Sequence, residues 1–596
     1  MPSFDRTKIG DVRPNQMITT FGPGAIVDVI RDSVTILDTS YWQEKGEQIA
    51  DGRLASYLGV NYFYKPKSQA FHDVPAVSFP YSHICSDPKC GHIFDIREYF
   101  NIEQYMRQGV NCPLCHKPAY PSRFIVMCAS GHMDDFPWRW WVHKGNCDCK
   151  KKLYLRSTGR TSTLGDMIVK CDCGATRTMS GATQSDNFTE LTCTGHHPFK
   201  PSHRNEKCKT KKVIPSQRGA SNVYFPVIKS AISIPPWINP LFNLIDMHLR
   251  DIELLEEYGV PDPEGNVYNK YFAENYSREE FDEALKRRRE NIKEFTEIKQ
   301  MEYNAITHHD DPLYASNRRH FKAEEDELPL ELKKYFSRVI RITRMREVKV
   351  LLGFTRVEAP DPDADTQDNI VYLSKTAEKW LPAVDINGEG VFIEFNDATL
   401  KAWLAKPEVA ALSKKYADSY DEYCKSRGWI SPIPRDGKYV LMHTFAHLLI
   451  KEMSLKSGYS SSAIRERIYS TDKMSGILLY TGSADKEGSL GGLVELGKYA
   501  RLVPLIQSAL ENALVCTNDP ECLSNLPTSH KSNGAACHSC CMISETACEN
   551  GNRLLDRAFV VPLNEREEQS SFREQMKNVS DAQEAYDLLC KFESEL

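Results

Sequence analysis

Residues 17–40, MITTFGPGAIVDVIRDSVTILDTS, set short β-branched runs between turn residues, with Gly22, Pro23 and Gly24 as the first break. This pattern predicts a small β-rich unit at the N-terminus. Strand-like runs recur in RFIVM (123–127) and DMIVK (166–170). The most apolar stretch of the centre, GASNVYFPVIKSAISIPPW (219–237), predicts a buried strand leading into a short helix. Ser277 and Glu280 form a capping-box signature, and Phe281, Leu285, Ile292, Phe295 and Ile298 recur near helical spacing. One long amphipathic helix is predicted there, through residue 298. REVKVLLGFTRV (346–357) and GEGVFIEFN (388–396) predict strands bounded by glycines, and the acidic EAPDPDADTQD (358–368) predicts an exposed loop between them. From about residue 411 the pattern is mainly helical.

A chain of 596 residues is too long for one hydrophobic core. The pattern divides it into a β-rich unit (1–82), a cysteine-rich zinc-ribbon-like module (83–210), a mixed α/β region with the charged helix (211–410) and a mainly helical C-terminal domain (411–596). The expected fold class is multidomain α+β. With 41% hydrophobic and 26% charged residues the composition is that of a globular protein. The opening MPSFDRTKIGDVRPNQ lacks the apolar run of a signal peptide, and no uninterrupted stretch of about 18 apolar residues occurs. A cytoplasmic location without membrane contact is expected. The net charge of -6 argues against a protein that coats nucleic acid by bulk electrostatics.

Cysteine changes the picture most. In a reducing compartment, 19 cysteines are better read as metal ligands than as disulfides. Cys85 and Cys90 followed by Cys112 and Cys115 make two close pairs about twenty residues apart, the spacing at which two turns present four thiolates to a tetrahedral zinc ion. Cys128, His132, Cys147, Cys149, Cys171, Cys173, Cys193 and Cys208 supply eight more donors, enough for two further ions. Two partitions remain open: the twin CDC motifs can share one ion, leaving Cys128, His132, Cys193 and Cys208 for the other, or nearest neighbours in sequence can combine. Near the C-terminus Cys516, Cys522, Cys537 and Cys540 form a fourth set, with Cys548 in reserve. Three or four structural Zn²⁺ ions are expected. Thiolate-rich tetrahedral sites leave no position for a reactive water, so they hold structure.

Signs of catalysis are sparse. His443 and His447 stand at i and i+4, where two imidazoles can converge on a metal, but no glutamate follows the first as in zinc-protease helices. A metal-dependent enzyme would add a carboxylate such as Glu452, Asp485 or Glu487, and would show an exchangeable ion whose loss ends activity without unfolding. FGPGA (21–25) and EGSLGGL (487–493) do not match a phosphate loop, and suit close approach of backbone to another element. Arg338, Arg341, Arg344 and Arg346 recur at a helical spacing near three and are the better candidates for phosphate-backbone contact. An independent DNA-binding sensor is therefore a further reading, testable by DNA binding of the isolated chain.

Several stretches, in order along the chain, resemble one family: RPNQMITTFGPGAIVD, RFIVMCASGHMDDFPW, RGASNVYFPVIKSAISIP, HTFAHLLIKEMSLKSGYSSSAIRERIY, LYTGSADKEGSLGGL and GAACHSCCMISETACENGNRLLDR. They are similar to the DrmB family, helicase-associated subunits of the bacterial DISARM anti-phage system. The last three resemble a four-cysteine domain also found at the carboxyl end of DNA-repair helicases similar to MrfA. The resemblance implies a non-catalytic, cytosolic partner of a DrmA-like helicase ATPase, acting with it and other DISARM subunits on invading DNA. It supplies no catalytic residue. It implies metal binding by the C-terminal cysteines, and Cys541 beside Cys540 leaves two thiols competing for one place.

Overall fold

The computed structural model describes residues 9–563 except 30–31, 68–73, 100–108, 158, 160–162, 239, 291, 316–319, 361–368, 375–378, 428–434, 461, 484–490 and 529–530. Its largest element is a sheet whose main path is antiparallel, with the short strand Tyr62–Tyr64 added in parallel. The main path comprises β1 (Phe225–Ser233), β2 (Phe336–Thr355), β3 (Trp380–Phe395), β4 (Ile464–Thr471) and β5 (Met474–Ser483), in the spatial order β1-β2-β3-β5-β4. The sheet thus draws strands from both sides of residue 410.

The side chains of the central strands alternate between two covered faces, as the period of two requires. Phe336, Val339, Val391, Ile393 and Phe395 join the larger core on one face, while Ile340, Ile342 and Phe392 join a second core on the other. The second core is closed by Tyr303 and Ile306 of α1 (Phe295–Thr307). The larger core is closed by α2 (Gly437–Ser457) and α3 (Tyr499–Asn512). Asp436 caps α2 by accepting the Tyr439 N–H at 3.2 Å, and Gly458 ends it at a φ of 75°. Apolar residues on every side of α2 match its enclosure by the sheet, neighbouring helices and the C-terminal segment.

The expected β-rich unit, cysteine-rich module, mixed α/β region and mainly helical C-terminal region are all present. Strands Ile26–Val29, Asp32–Ile36 and Ala76–Ser78 form the N-terminal sheet; the cysteine-rich module carries a six-stranded sheet and a three-stranded one, the latter completed by Ile214–Gln217 just beyond its expected end. The FGPGA turn lies against β2. A Cβ on Gly22 would meet Leu351 at 2.6 Å, and one on Gly24, whose φ is +87°, would meet Phe354 at 2.4 Å.

Four readings of the pattern need correction. The helix expected through residue 298 is two helices: Arg278–Arg288, capped by Ser277 and Glu280 as expected, and α1, which begins anew from a Glu294–Glu297 capping box. The apolar positions read as one face serve two cores, since Phe281 and Leu285 pack with the helices around 241–272 while Ile292, Phe295 and Ile298 pack on the sheet. The helix after β1 is not short; it spans Pro240–Glu257. Within the C-terminal region the segment 464–483 is the β4–β5 hairpin, completing the sheet. Finally, Arg338, Arg341, Arg344 and Arg346 lie on β2 rather than a helix. The interleaved Val339, Ile340, Ile342 and Thr343 favour a strand, which a spacing near three does not exclude. Arg341 makes a bidentate pair with Asp326, both bonds 3.0 Å, and Arg346 Nε lies 3.1 Å from Asp385. Arg338 is 3.8 Å from Glu394 and donates to the Thr307 carbonyl. No helix among the described residues is long and apolar enough to cross a membrane.

Candidate metal centres

Four groups of cysteine and histidine side chains converge so that their donor atoms lie within 4.8 Å of one another. Zn–S bonds of about 2.3 Å place the sulfurs of a tetrahedral site about 3.8 Å apart. The observed separations fall near that value, and each site is built by short turns whose backbone amides point at sulfur.

In the first, Cys85 ends the strand Ser82–Cys85 and lies 3.3 Å from Cys115, while Cys90 and Cys112 are 3.7 Å apart. The Leu114 N–H points at Cys112 Sγ from 3.4 Å. The second joins Cys128, His132, Cys193 and Cys208. Cys128 Sγ is 3.2 Å from His132 Nδ1 and 3.7 Å from Cys208 Sγ, and the Lys211 N–H donates to Cys208 at 3.3 Å. Gly131, at a φ of +84°, lets the chain reverse between Cys128 and His132.

The third group contains Cys149, Cys171 and Cys173, with His143 as its fourth donor. His143 Nε2 lies 3.2 Å from Cys173 Sγ while its Nδ1–H donates to the Arg139 carbonyl at 2.8 Å, which fixes the tautomer with its lone pair toward sulfur. Cys147 is exposed, and its sulfur accepts the Cys149 N–H at 3.3 Å. Sequence reasoning missed His143, whose signal is its position four residues before Cys147 at the end of the Trp138–His143 helix.

The fourth group is Cys516, Cys522, Cys537 and Cys540. Cys516 and Cys537 are 3.5 Å apart, and Cys522 and Cys540 are 3.8 Å apart. Buried Arg557 donates to Asp519 at 3.0 Å, and Asp519 accepts the Cys516 N–H at 2.9 Å, so a second layer of bonds orients the thiolates. Within two thiol pairs the proton is shared unequally: the contact with Cys193 holds Cys128 low while raising Cys193, and the contact with Cys541 holds Cys540 low while raising Cys541.

Cys548 does not join this fourth set. It lies with His443, His447 and Glu466 in a separate buried group, its sulfur 3.2 Å from His443 Nε2. The carboxylate facing the two histidines is therefore Glu466 on β4. Glu452 is bound to Ser508 and Asn512, both at 2.8 Å, while Asp485 and Glu487 lie outside the described residues. Glu466 was legible in principle, because IRERI places it in phase with buried Ile464 and Ile468.

Comparisons with known proteins agree with this geometry. Residues 13–225 match a domain of unknown function, DUF8724, and residues 445–541 match the MrfA Zn-binding domain, whose span includes all four members of the fourth group. Over 552 residues the chain is 43% identical to the DISARM protein DrmB of Bacillus paralicheniformis, a match that covers 90% of this chain and 97% of the relative. With that coverage at both ends of the alignment, and with cysteine clusters built as structural zinc sites, the chain belongs to the DrmB family of DISARM proteins.

Proposed function

We propose that this protein is a non-catalytic, zinc-stabilised subunit that binds a DrmA-like helicase ATPase in the cytoplasm and supports its engagement of foreign DNA. The observation that carries the proposal is the nearly full-length match to a DISARM DrmB protein. In this reading the zinc ligands are Cys85, Cys90, Cys112 and Cys115; Cys128, His132, Cys193 and Cys208; His143 or Cys147 with Cys149, Cys171 and Cys173; and Cys516, Cys522, Cys537 and Cys540. Four protein donors per ion leave no coordination position for a reacting water, which suits a scaffold. DNA engagement belongs to the complex, because Arg338, Arg341 and Arg346 are already held by carboxylates of this chain and the net charge is -6.

Association is tested by size-exclusion chromatography of the chain mixed with a DrmA-like helicase from the same organism, with and without DNA. Co-elution at a fixed stoichiometry is the expected result. Independent elution under both conditions would remove the partnership from the proposal.

A further inference from the structure

Behind the fourth thiolate group, His443 and His447 on α2, Glu466 on β4 and Cys548 in the C-terminal segment meet in the interior. Both histidines are 0% exposed, Glu466 is 1% and Cys548 is 8%. The i, i+4 spacing on α2 turns both imidazoles to one side, with ring centroids 4.5 Å apart.

The hydrogen bonds of the two rings define where their lone pairs point. His443 Nδ1 faces the Leu554 carbonyl at 3.3 Å, and His447 Nδ1 faces the Cys541 carbonyl at 3.0 Å. A carbonyl oxygen only accepts, so each Nδ1 carries a proton, and a neutral ring then directs the Nε2 lone pair inward. His443 Nε2 lies 2.9 Å and His447 Nε2 lies 3.2 Å from Glu466 Oε1. Glu466 Oε2 is buried and has no hydrogen-bond partner. Cys548 Sγ accepts the N–H groups of Asn550 at 3.3 Å and Asn552 at 3.2 Å, the arrangement of amides around a metal-bound thiolate. Two imidazole lone pairs, a carboxylate and a sulfur thus converge in a dry interior, where unpaired donors of electron density are costly. A divalent cation satisfies all four at once. Both imidazoles also show the outer hydrogen bond to a carbonyl that accompanies metal-ligating histidine.

We infer that His443, His447, Glu466 and Cys548 form a further structural zinc site, separate from the thiolate groups and closed to water by its four protein donors. Mixed nitrogen, oxygen and sulfur donors in a four-coordinate set suit Zn²⁺. Its place in the fold gives it a purpose: it fastens α2 to the last strand pair of the sheet and both to the C-terminal segment. The Cys541 carbonyl that orients His447 follows Cys540 of the fourth thiolate group, so the two sites share one turn of chain. The inference is independent of the helicase partnership.

Anomalous difference density recorded on both sides of the zinc absorption edge, from crystals of the full chain purified without chelator, tests it. A zinc peak among these four side chains, beside peaks in the thiolate groups, is the expected result. An empty position there while the thiolate groups show peaks overturns the inference and leaves a buried imidazole–carboxylate cluster. In solution the zinc content of the full chain should be one ion lower in His447→Gln than in the wild type; equal contents would also overturn it.

Discussion

A chain carrying Cys537→Ser and Cys540→Ser together is expected to lose one zinc ion and the folded state of the segment that follows α3. Among the described residues beyond Asn512, the only regular element is the 3-10 turn Arg557–Phe559. Backbone hydrogen bonds of helices and strands therefore contribute little there, and the metal centre is a main tie of the loops beside their apolar packing. Structural zinc sites supply apparent binding free energies of about 10–16 kcal/mol in small domains at neutral pH, whereas whole domains are stable by only about 5–15 kcal/mol. Losing the site therefore removes a contribution comparable to a whole domain's stability. Because Leu554, Leu555, Phe559 and Val561 pack in the same core as α2, the damage should spread into the helical layer. Limited proteolysis and thermal unfolding provide the check: early cleavage after α3 and a lower midpoint are expected, and an unchanged profile at unchanged zinc content would show the group is misassigned.

Arg356→Lys is expected to be strongly destabilising although it keeps the charge. Arg356 is fully buried, and its guanidinium donates to three carbonyls from distant parts of the chain: Gly24 at 2.9 Å, Gly131 at 2.9 Å and Val223. It joins the N-terminal turn, the Cys128–His132 turn and the approach to β1 to the end of β2. Burial pushes its pKa down to about 10, and it remains a cation at neutral pH. A lysine keeps the charge but offers one compact nitrogen in place of the planar fork, so at least one carbonyl loses its partner. Unpaired buried polar groups cost about 1–3 kcal/mol each, and removing a partner from a buried charge costs about 3–5 kcal/mol. A loss of roughly 2–4 kcal/mol is expected, with faster amide exchange near Gly24 and Gly131 read by hydrogen-exchange mass spectrometry. Exchange and melting equal to the wild type would mean that these segments are held by other contacts.

Sequence carried the metal chemistry further than it carried the fold. Close cysteine pairs are local features, so Cys85–Cys90, Cys112–Cys115 and Cys537–Cys540 could be recognised from spacing alone. Which pairs meet is set by chain reversals tens of residues long: the sequence left two partitions open, and the structure groups Cys128, His132, Cys193 and Cys208 together. His143 was missed although it stands four residues before Cys147, because the spacing signal lies in close cysteine pairs and the histidine falls outside them, at the end of the Trp138–His143 helix. Cys548 was held in reserve for the fourth set because it is near in sequence, whereas in space it lies with His443, His447 and Glu466. On the fold side, the apolar run of 219–237 identified β1, and runs bounded by glycines identified the later parts of β2 and β3. The arginine-rich half of β2 imitated a helix, because a spacing near three can be read in either period. The break before α1 was hidden for a related reason: apolar residues serving two cores kept an almost continuous period across a non-helical link.

The most direct measurement of the proposed role is DNA-stimulated ATP hydrolysis by the DrmA-like helicase in the presence and absence of this chain. The chain alone should hydrolyse no ATP, since its sequence carries no phosphate loop. Its stoichiometric addition should raise the DNA-stimulated rate above that of the helicase alone. A rate unchanged by the addition, or ATP hydrolysis by this chain alone, would contradict a non-catalytic subunit that supports the helicase on DNA.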